Sequence, residues 1–351
     1  MSIPIQNLYY LLVYAWDVLD EAASIDVGAR RLHIPEDLFA KILNNGVTHL
    51  LKRGLDRAYK AETEEIPGIR GKLELATTIK RISLTNARLV CTFDDLTHDV
   101  LHNQILKATL LRLARLDRLD AELRRNLSDL VRRFDNVRTI TIRNEAFRQV
   151  QLHSNNRFYR LLLEVCALLH RQLLPDPSGK GYRFSDFSPE QLERIFQRFV
   201  RHFYAREQSE YKVSAERFRW QKTYADESVL SYVPTMETDV SMESAARKLV
   251  IETKFYQNIL RHHHKSEDHA SIISGHLYQL FAYLQNLSAR DKLMVDGLLL
   301  YARVEDDLFL DMKMFDHNVR VATVDLSAAP DAIASRLFEC AGIASTSRAA
   351  A

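Results

Sequence analysis

The chain has 351 residues, of which 46% are hydrophobic and 27% are charged. This length is typical of two domains, and the composition is that of an ordinary globular protein, which excludes a largely disordered chain. The formal net charge is only +2. Proteins that hold nucleic acid by themselves usually carry a stronger basic bias. The weak charge therefore does not indicate a protein that holds nucleic acid by itself.

The cysteines and the amino-terminal residues indicate the cellular compartment of the protein. Cys91, Cys166 and Cys340 are widely spaced and form no CxxC pair, so a disulfide framework is not expected and a reducing compartment is. The first residues lack the basic segment and cleavage site of a signal peptide. No run of about 18 apolar residues is present, so no membrane span is expected. We therefore expect a cytoplasmic protein that does not engage a membrane.

The first half of the chain predicts a helix-rich domain with a small β element. Residues 65–72 indicate a turn between extended pieces, and residues 89–93 a short strand. Apolar residues at helical spacing predict the helices, which are expected at 5–19, 35–55, 99–117, 119–135 and 156–175. Proline and glycine concentrate at 174–181, so we predict a domain boundary there, with an amino-terminal domain at 1–175 and a second at 176–345.

The second half predicts a mixed α/β domain with a central mixed sheet. Long apolar helical patterns alternate with short β-branched runs, which is typical of this class. Helices are expected at 189–208, 268–288 and 328–340, and strands at 211–220, 230–241, 247–256, 293–303, 307–314 and 318–325.

One pair of predicted strands carries a chemically informative set of residues. Glu252 and Lys254 are two positions apart, so on a strand they share one face. Asp239 lies on the preceding strand, and a polar turn at 241–247 lets the two strands pair as a hairpin. We therefore expect Asp239 to lie beside Glu252 and Lys254.

These three side chains match the PD-(D/E)xK pattern of metal-dependent nucleases. Carboxylates at close range, here Asp239 and Glu252, hold Mg²⁺ through oxygen ligands, and a lysine beside them can orient water and stabilise charge on a phosphate. An acid and a lysine at this spacing are also common on a solvated strand face. The apolar neighbours Leu249, Val250 and Ile251 indicate a buried strand, where charges without a purpose are costly.

Further candidates surround this set. Glu237 is predicted to share a face with Asp239. Gln279 and Tyr283 are four apart on a helix and so share a face, either as accessory residues of the site or as part of the helix core. Glu193 and Glu207 are candidate acids on the helix before the first strand, and Gln197 lies on the same helix. For the two acids an ordinary solvated face is the alternative.

The remaining motifs indicate neither zinc nor nucleotide binding. The run His262–His264 cannot direct three rings at one metal from regular structure, so we predict an exposed loop, with Arg261 and Lys265 as candidate DNA-binding residues. No GxxxxGK[ST] phosphate loop occurs in the chain. If nucleotide hydrolysis drives the system, another subunit performs it.

Several segments together resemble the McrC family, the nuclease subunits of McrBC modification-dependent restriction systems. The resemblance spans nearly the whole chain and is carried by residues 3–10, 14–16, 66–72, 92–94, 182–184, 236–239 and 277–280. It implies Mg²⁺ as cofactor at Asp239 and Glu252, with Lys254 as the catalytic lysine. An aspartate is more usual in the family at the position of Glu252, which puts the geometry of the site in doubt.

The resemblance also implies partners. Proteins of this family act with an McrB-like AAA+ GTPase ring, which binds the GTP and recognises methylated double-stranded DNA, while the amino-terminal part of the McrC-like chain docks to the ring and stimulates GTP hydrolysis. Helix 5–19 is expected to expose Tyr10, Tyr14 and Asp17, as a partner surface would, with packing inside the domain as the alternative. A double-strand cut requires two sites, so pairing of nuclease domains is expected. A non-catalytic adaptor with a nuclease-like fold is the competing hypothesis.

Overall fold

The computed structural model describes residues 3–25, 34–175, 182–221, 226–255, 260–262, 270–302 and 307–344. It confirms a mixed α/β protein with a helix-rich first part and a central mixed sheet in the second. The chain forms two compact units, one comprising residues 20–186 and the other residues 1–19 together with 187–351. We call them the helical unit and the sheet unit.

The elements of the first part, in chain order, are α1 (Ile5–Ala15), α2 (Leu19–Ala22), α3 (Pro35–Arg53), β1 (Ala58–Ile66), β2 (Lys72–Leu73), α4 (Leu75–Lys80), β3 (Leu89–Thr97), α5 (Leu101–Leu113), α6 (Ala121–Arg132), α7 (Asn144–Gln149), α8 (Tyr159–Gln172), β4 (Leu173–Pro175) and β5 (Tyr182–Phe184).

The elements of the second part are α9 (Pro189–Glu207), β6 (Lys212–Ser214), β7 (Arg217–Phe218), α10 (Glu227–Leu230), β8 (Met236–Glu237), β9 (Val240–Glu243), β10 (Arg247–Lys254), β11 (Leu260–His262), β12 (Ala270–Ile272), α11 (Ser274–Asp291), β13 (Met294–Ala302), β14 (Phe309–Met314), β15 (His317–Val324) and α12 (Pro330–Ala341).

The helical unit consists of packed helices and a three-stranded antiparallel sheet. Helices α3, α5, α6 and α8 pack on one another through buried leucines such as Leu43, Leu106 and Leu162. The sheet has the order β1-β3-β2. The turn that enters β2 requires Gly71, because its φ is 68° and a Cβ there would lie 2.4 Å from the Thr92 carbonyl oxygen. The predicted helices of this unit are confirmed, with shorter ends than their apolar patterns.

The sheet unit is built on a six-stranded sheet with the order β14-β15-β13-β10-β9-β6. The three central strands β15, β13 and β10 are parallel, and β14, β9 and β6 are antiparallel to their neighbours. One face packs against α9 and α12, with α1 in the same apolar cluster, and the other packs against α11. Strand β10 is therefore covered on both faces, which explains its continuous apolar run.

The predicted assignment of residues 1–175 to one domain is wrong at both ends. Residues 1–19 belong to the sheet unit, and the boundary before the second half falls after residue 186. Helix α1 packs on α9, where the rings of Tyr10 and Tyr14 each meet Phe199 at a centroid distance of 5.6 Å. The contact joins segments nearly 200 residues apart, and helical periodicity alone does not indicate such a partner.

The expected exposed aromatic surface on this helix is also corrected. Tyr14 is only 6% exposed, and its hydroxyl donates to Glu207 Oε1 at 2.7 Å. Asp17 accepts from the Arg206 Nε at 2.9 Å. Packing inside the unit, the alternative interpretation, accounts for these side chains.

The predicted strand at 230–241 is divided into the end of α10, the short β8 and the start of β9. Across the described ranges, no helix is both long and apolar enough to cross a membrane.

Candidate active site

The hairpin predicted from the sequence is present and sets the position of Asp239. Strands β9 and β10 pair antiparallel, with Val240 opposite Ile251. Asp239 immediately precedes β9, at a bend in the chain, so it lies across from Glu252. The connection between the strands covers only residues 244–246.

Asp239 is held by hydrogen bonds on both carboxylate oxygens. Its Oδ2 accepts from the Thr253 backbone N at 2.8 Å and from the Thr253 hydroxyl at 2.7 Å. Its Oδ1 accepts from Nε2 of Gln197, on α9, at 2.6 Å. These bonds fix the orientation of the carboxylate.

Glu252, Lys254, Gln279 and Tyr283 form a continuous chain of hydrogen bonds. The Lys254 ammonium donates to Glu252 Oε1 at 2.7 Å and to Gln279 Oε1 at 3.2 Å. The Gln279 amide nitrogen donates to the Tyr283 hydroxyl at 2.9 Å. The Tyr283 ring also belongs to the apolar cluster under α11, as the helix-core alternative predicts. The structure thus brings these four predicted residues together.

Burial governs the charge state of this cluster. Glu252 is 1% exposed, and burial, with the nearby charge of Asp239, raises its pKa to about 7, although Lys254 opposes part of the shift. Burial alone would lower the pKa of Lys254, but the charges of Glu252 and Asp239 raise it. The charge of Glu193, on α9, raises the pKa of both Lys254 and Glu252. The lysine is therefore cationic at neutral pH, whereas the glutamate is poised between its two forms.

One carboxylate oxygen of the cluster has no partner. Glu252 Oε2 is buried and makes no hydrogen bond, an arrangement that costs free energy unless a ligand uses it. No group of three or more histidine, cysteine, aspartate or glutamate side chains is placed to hold a metal within the described ranges. Mg²⁺ commonly takes one or two carboxylates and completes its shell with water and substrate oxygens. Asp239 and Glu252 fit that requirement.

Other predicted residues lie outside this network. Glu237 does not continue a strand with Asp239, because β8 ends at Glu237, and its exposed carboxylate pairs with the Arg217 guanidinium at 2.7 Å. Glu207 binds Tyr14 instead of the cluster. Arg261 lies on β11, but its side chain is outside the described part, as are Lys265 and residues 263–264.

Two residues that surround Asp239 could not be predicted from sequence patterns. Thr253 points to the α9 face of the sheet and supplies two of the bonds to Asp239. Arg201, two turns after Arg194 on α9, interacts electrostatically with Asp239. The amphipathic pattern of α9 identifies its outer face, but only the packing places that face beside Asp239.

Comparisons with known proteins identify the family of the chain. A model of the family described as "McrBC 5-methylcytosine restriction system component" matches residues 6–302. A protein of Escherichia coli (strain K12) described as "Type IV methyl-directed restriction enzyme EcoKMcrBC" is 30% identical over 326 residues, which are 92% of this chain and 93% of that protein.

A solved structure has a similar fold. It contains Thermococcus gammatolerans McrB AAA+ hexamers with bound McrC, and the match has a TM-score of 0.60 at 17% identity, covering 96% of this chain and 75% of the other. The family match over most of the chain, together with the extent and identity of the Escherichia coli relative, shows that the chain belongs to the McrBC 5-methylcytosine restriction system component family.

Proposed function

We propose that this chain is the nuclease subunit of a modification-dependent restriction complex and hydrolyses DNA phosphodiester bonds with Mg²⁺ at Asp239 and Glu252. The observation that carries the proposal is the unpartnered, buried Glu252 Oε2 beside a charged lysine. A purely structural ion pair would be expected to satisfy both oxygens of a buried carboxylate. The description of the Escherichia coli relative as a methyl-directed restriction enzyme supports the same activity.

Each residue of the cluster has a distinct part in this chemistry. When bound, Mg²⁺ would polarise the scissile phosphate and lower the pKa of an attacking water. Asp239, fixed by Gln197 and Thr253, and Glu252 present the oxygens that would hold the ion. Lys254, held by Glu252 and Gln279, provides a fixed positive charge for the negative charge that develops on the phosphate.

The first test removes the chemistry while keeping the assembly. We expect Lys254→Ala to lower cleavage of methylated DNA by roughly 100-fold to 1000-fold, as loss of one preorganised charge does, and Asp239→Asn to lower it at least as far. The assay contains the full chain, its McrB-like AAA+ GTPase partner, GTP and Mg²⁺, and GTP hydrolysis is followed in the same samples. Both variants should still stimulate the GTPase.

Lys313→Ala is the matched control. Asp311 and Lys313 repeat the acid-x-lysine spacing on β14, but both are exposed, and this variant should cut like the native protein. Normal cleavage by Lys254→Ala and Asp239→Asn would instead favour the adaptor hypothesis, in which this chain activates the ring and another protein cuts.

We also propose that the helical unit contacts the AAA+ ring. Its surface carries an unusual set of exposed apolar side chains, which on a soluble domain marks an interaction site. Tyr59 and Leu96 are opposite each other on β1 and β3. Ile82 has a φ of 56°, a strained conformation for a β-branched residue. The exposed set is Tyr59, Ile69, Leu75, Ile79, Ile82, Leu84 and Leu96.

This surface predicts a separable defect. Leu75 and Ile79 are 56% and 60% exposed and one turn apart on α4. Replacing both with serine should lower stimulation of the GTPase by roughly tenfold or more, since central apolar contacts dominate interfaces, without lowering the melting temperature. Met294→Ser, at a residue 58% exposed on the sheet unit, is the control. Unchanged stimulation by the double variant would place ring docking elsewhere.

A further inference from the structure

The outer face of α9 carries a row of arginines. Arg194, Arg198 and Arg201 are four and then three positions apart, so they lie along one side of the helix. The opposite side of α9 is buried in the core through Phe196, Phe199 and Phe203. The arginines therefore point away from the sheet that the helix covers.

This row lies beside the candidate active site. Gln197 is four positions before Arg201 and so shares its side of the helix, and the Gln197 amide contacts Asp239 Oδ1 at 2.6 Å. Arg201 is half-buried. Burial and the like charge of Arg198 hold the pKa of Arg201 below its usual range, while Asp239 and Glu237 act in the opposite direction.

The donors of Arg198 and Arg201 are unused within the described part of the chain, where neither makes a hydrogen bond or an ion pair. Several other arginines of the sheet unit are paired, among them Arg206 with Asp17 at 2.9 Å and Arg247 with Asp296 at 2.7 Å. Two like charges one turn apart repel each other. Such a pair is stabilised when an anion binds between or across the two guanidinium groups.

We propose that Arg198 and Arg201 bind backbone phosphates of the DNA, adjacent to the phosphate that would be hydrolysed at Asp239 and Glu252. The planar guanidinium donates two parallel hydrogen bonds to phosphate oxygens. Side chains one turn apart on a helix can engage separate phosphates of one strand, and such contacts position the duplex without reading its sequence. The inference rests on the proposed function, because it takes DNA as the ligand. It adds the surface that holds the substrate in register with the metal site.

The test measures salt dependence of binding. Each phosphate contact that is lost reduces the slope of log K against log salt concentration by about 1. The full chain is titrated with a short unmodified DNA duplex over a range of KCl concentrations without Mg²⁺. We expect Arg198→Gln with Arg201→Gln to lower the slope by about 2 and to weaken binding at every salt concentration. In the cleavage assay the same variant should raise KM more than it lowers kcat.

Two further variants make the result specific. Arg206→Gln removes the same charge from the same helix, but at a guanidinium already paired with Asp17, and it should leave the slope unchanged. Arg198→Lys with Arg201→Lys keeps both charges and should restore the slope of the native protein. If the glutamine pair is poorly folded, Arg198→Gln alone, at an exposed position, should lower the slope by about 1.

An unchanged slope in a folded glutamine variant would overturn this inference. That outcome is distinct from failure of the proposed function, since the titration involves no cleavage. A lowered slope with normal cutting by Lys254→Ala would keep the phosphate site and remove the catalytic assignment. The reverse combination would keep the catalytic assignment and remove the phosphate site.

Discussion

Replacing Glu252 with glutamine is expected to abolish DNA cleavage and, in the metal-free protein, to stabilise the fold. Loss of the proposed metal ligand removes several kcal/mol of transition-state stabilisation, which corresponds to roughly a 1000-fold slower reaction or more. The stability effect has the opposite sign because the native carboxylate is 1% exposed and its Oε2 has no partner. Glutamine keeps the shape of the side chain and carries no charge to desolvate.

The dependence of this effect on pH follows from the raised pKa. Glu252 has a pKa of about 7 in the folded protein, against 4.5 for an ordinary glutamate. The folded state therefore binds the proton more tightly, and stability contributed by protonated Glu252 is fully present below the lower value and is lost as the pH rises through about 7. The loss is about 1 to 3 kcal/mol at neutral pH and above.

Urea unfolding at about pH 5 and about pH 8, without divalent metal, measures this effect. The native protein should lose more stability than Glu252→Gln over this interval, so that the variant is the more stable protein at the higher pH. Mg²⁺ should raise the melting temperature of the native protein and not that of the variant. Asp311→Asn, which neutralises an exposed carboxylate paired with Arg320, is the control. Equal pH profiles for native protein and variant would mean that Glu252 ionises normally.

The centre of the site could be predicted from the sequence because it depends on local periodicity. Glu252 and Lys254 share a face through the two-residue repeat of a strand, and Gln279 and Tyr283 share one through the helical turn. The hairpin then brings Asp239 to its position. Each of these relations involves residues close in sequence or joined by a short turn.

The supporting residues required contacts that sequence patterns do not encode. Gln197 reaches Asp239 across 42 positions, and its role depends on which side of α9 covers the sheet. The same limit applies to α1, whose apolar face fits either unit until its packing on α9 is known. Proline and glycine at 174–181 marked a break in the chain, but the compact units divide at residue 186, since compactness is set by long-range contacts.

Replacing Lys248, the lysine near the start of β10, is expected to cause a large loss of stability. Lys248 is 1% exposed and meets three carboxylates: Asp291 at 2.5 Å, Glu243 at 2.7 Å and Glu216 at 3.1 Å. Arg290 pairs with Glu216 and Asp291 as well. Lys248→Met leaves these acids without their central cation, and removal of one partner from a buried ion cluster typically costs about 3 to 5 kcal/mol.

The stability contributed by the ion cluster around Lys248 depends on pH in the opposite direction to the stability contributed by Glu252. Burial disfavours the charge of Glu216, but Arg290 and Lys248 hold its pKa below the usual range, and Arg290 and Lys248 do the same for Asp291. Their stabilising contribution is present above the unfolded pKa and is lost as the pH falls through the folded value. The defect of Lys248→Met should therefore be largest near neutral pH and shrink in acid.

The free energy of unfolding is measured by chemical denaturation for Lys248→Met, Lys254→Met and the exposed control Lys313→Met. The comparison distinguishes the contributions of the two lysines of β10 to stability. Lys248 joins β10 to β9 through Glu243 and to the end of α11 through Asp291, so its loss should loosen the frame that holds Glu252 near Gln279. Adding Glu216→Gln to Lys248→Met should recover part of the stability, because fewer buried charges then lack a partner. Lys254→Met should stay folded and fail to cut. Equal free energies of unfolding for Lys248→Met and Lys313→Met would contradict this prediction. The carboxylates would then be solvated well enough to need no cation, and apolar packing alone would hold β10 in place.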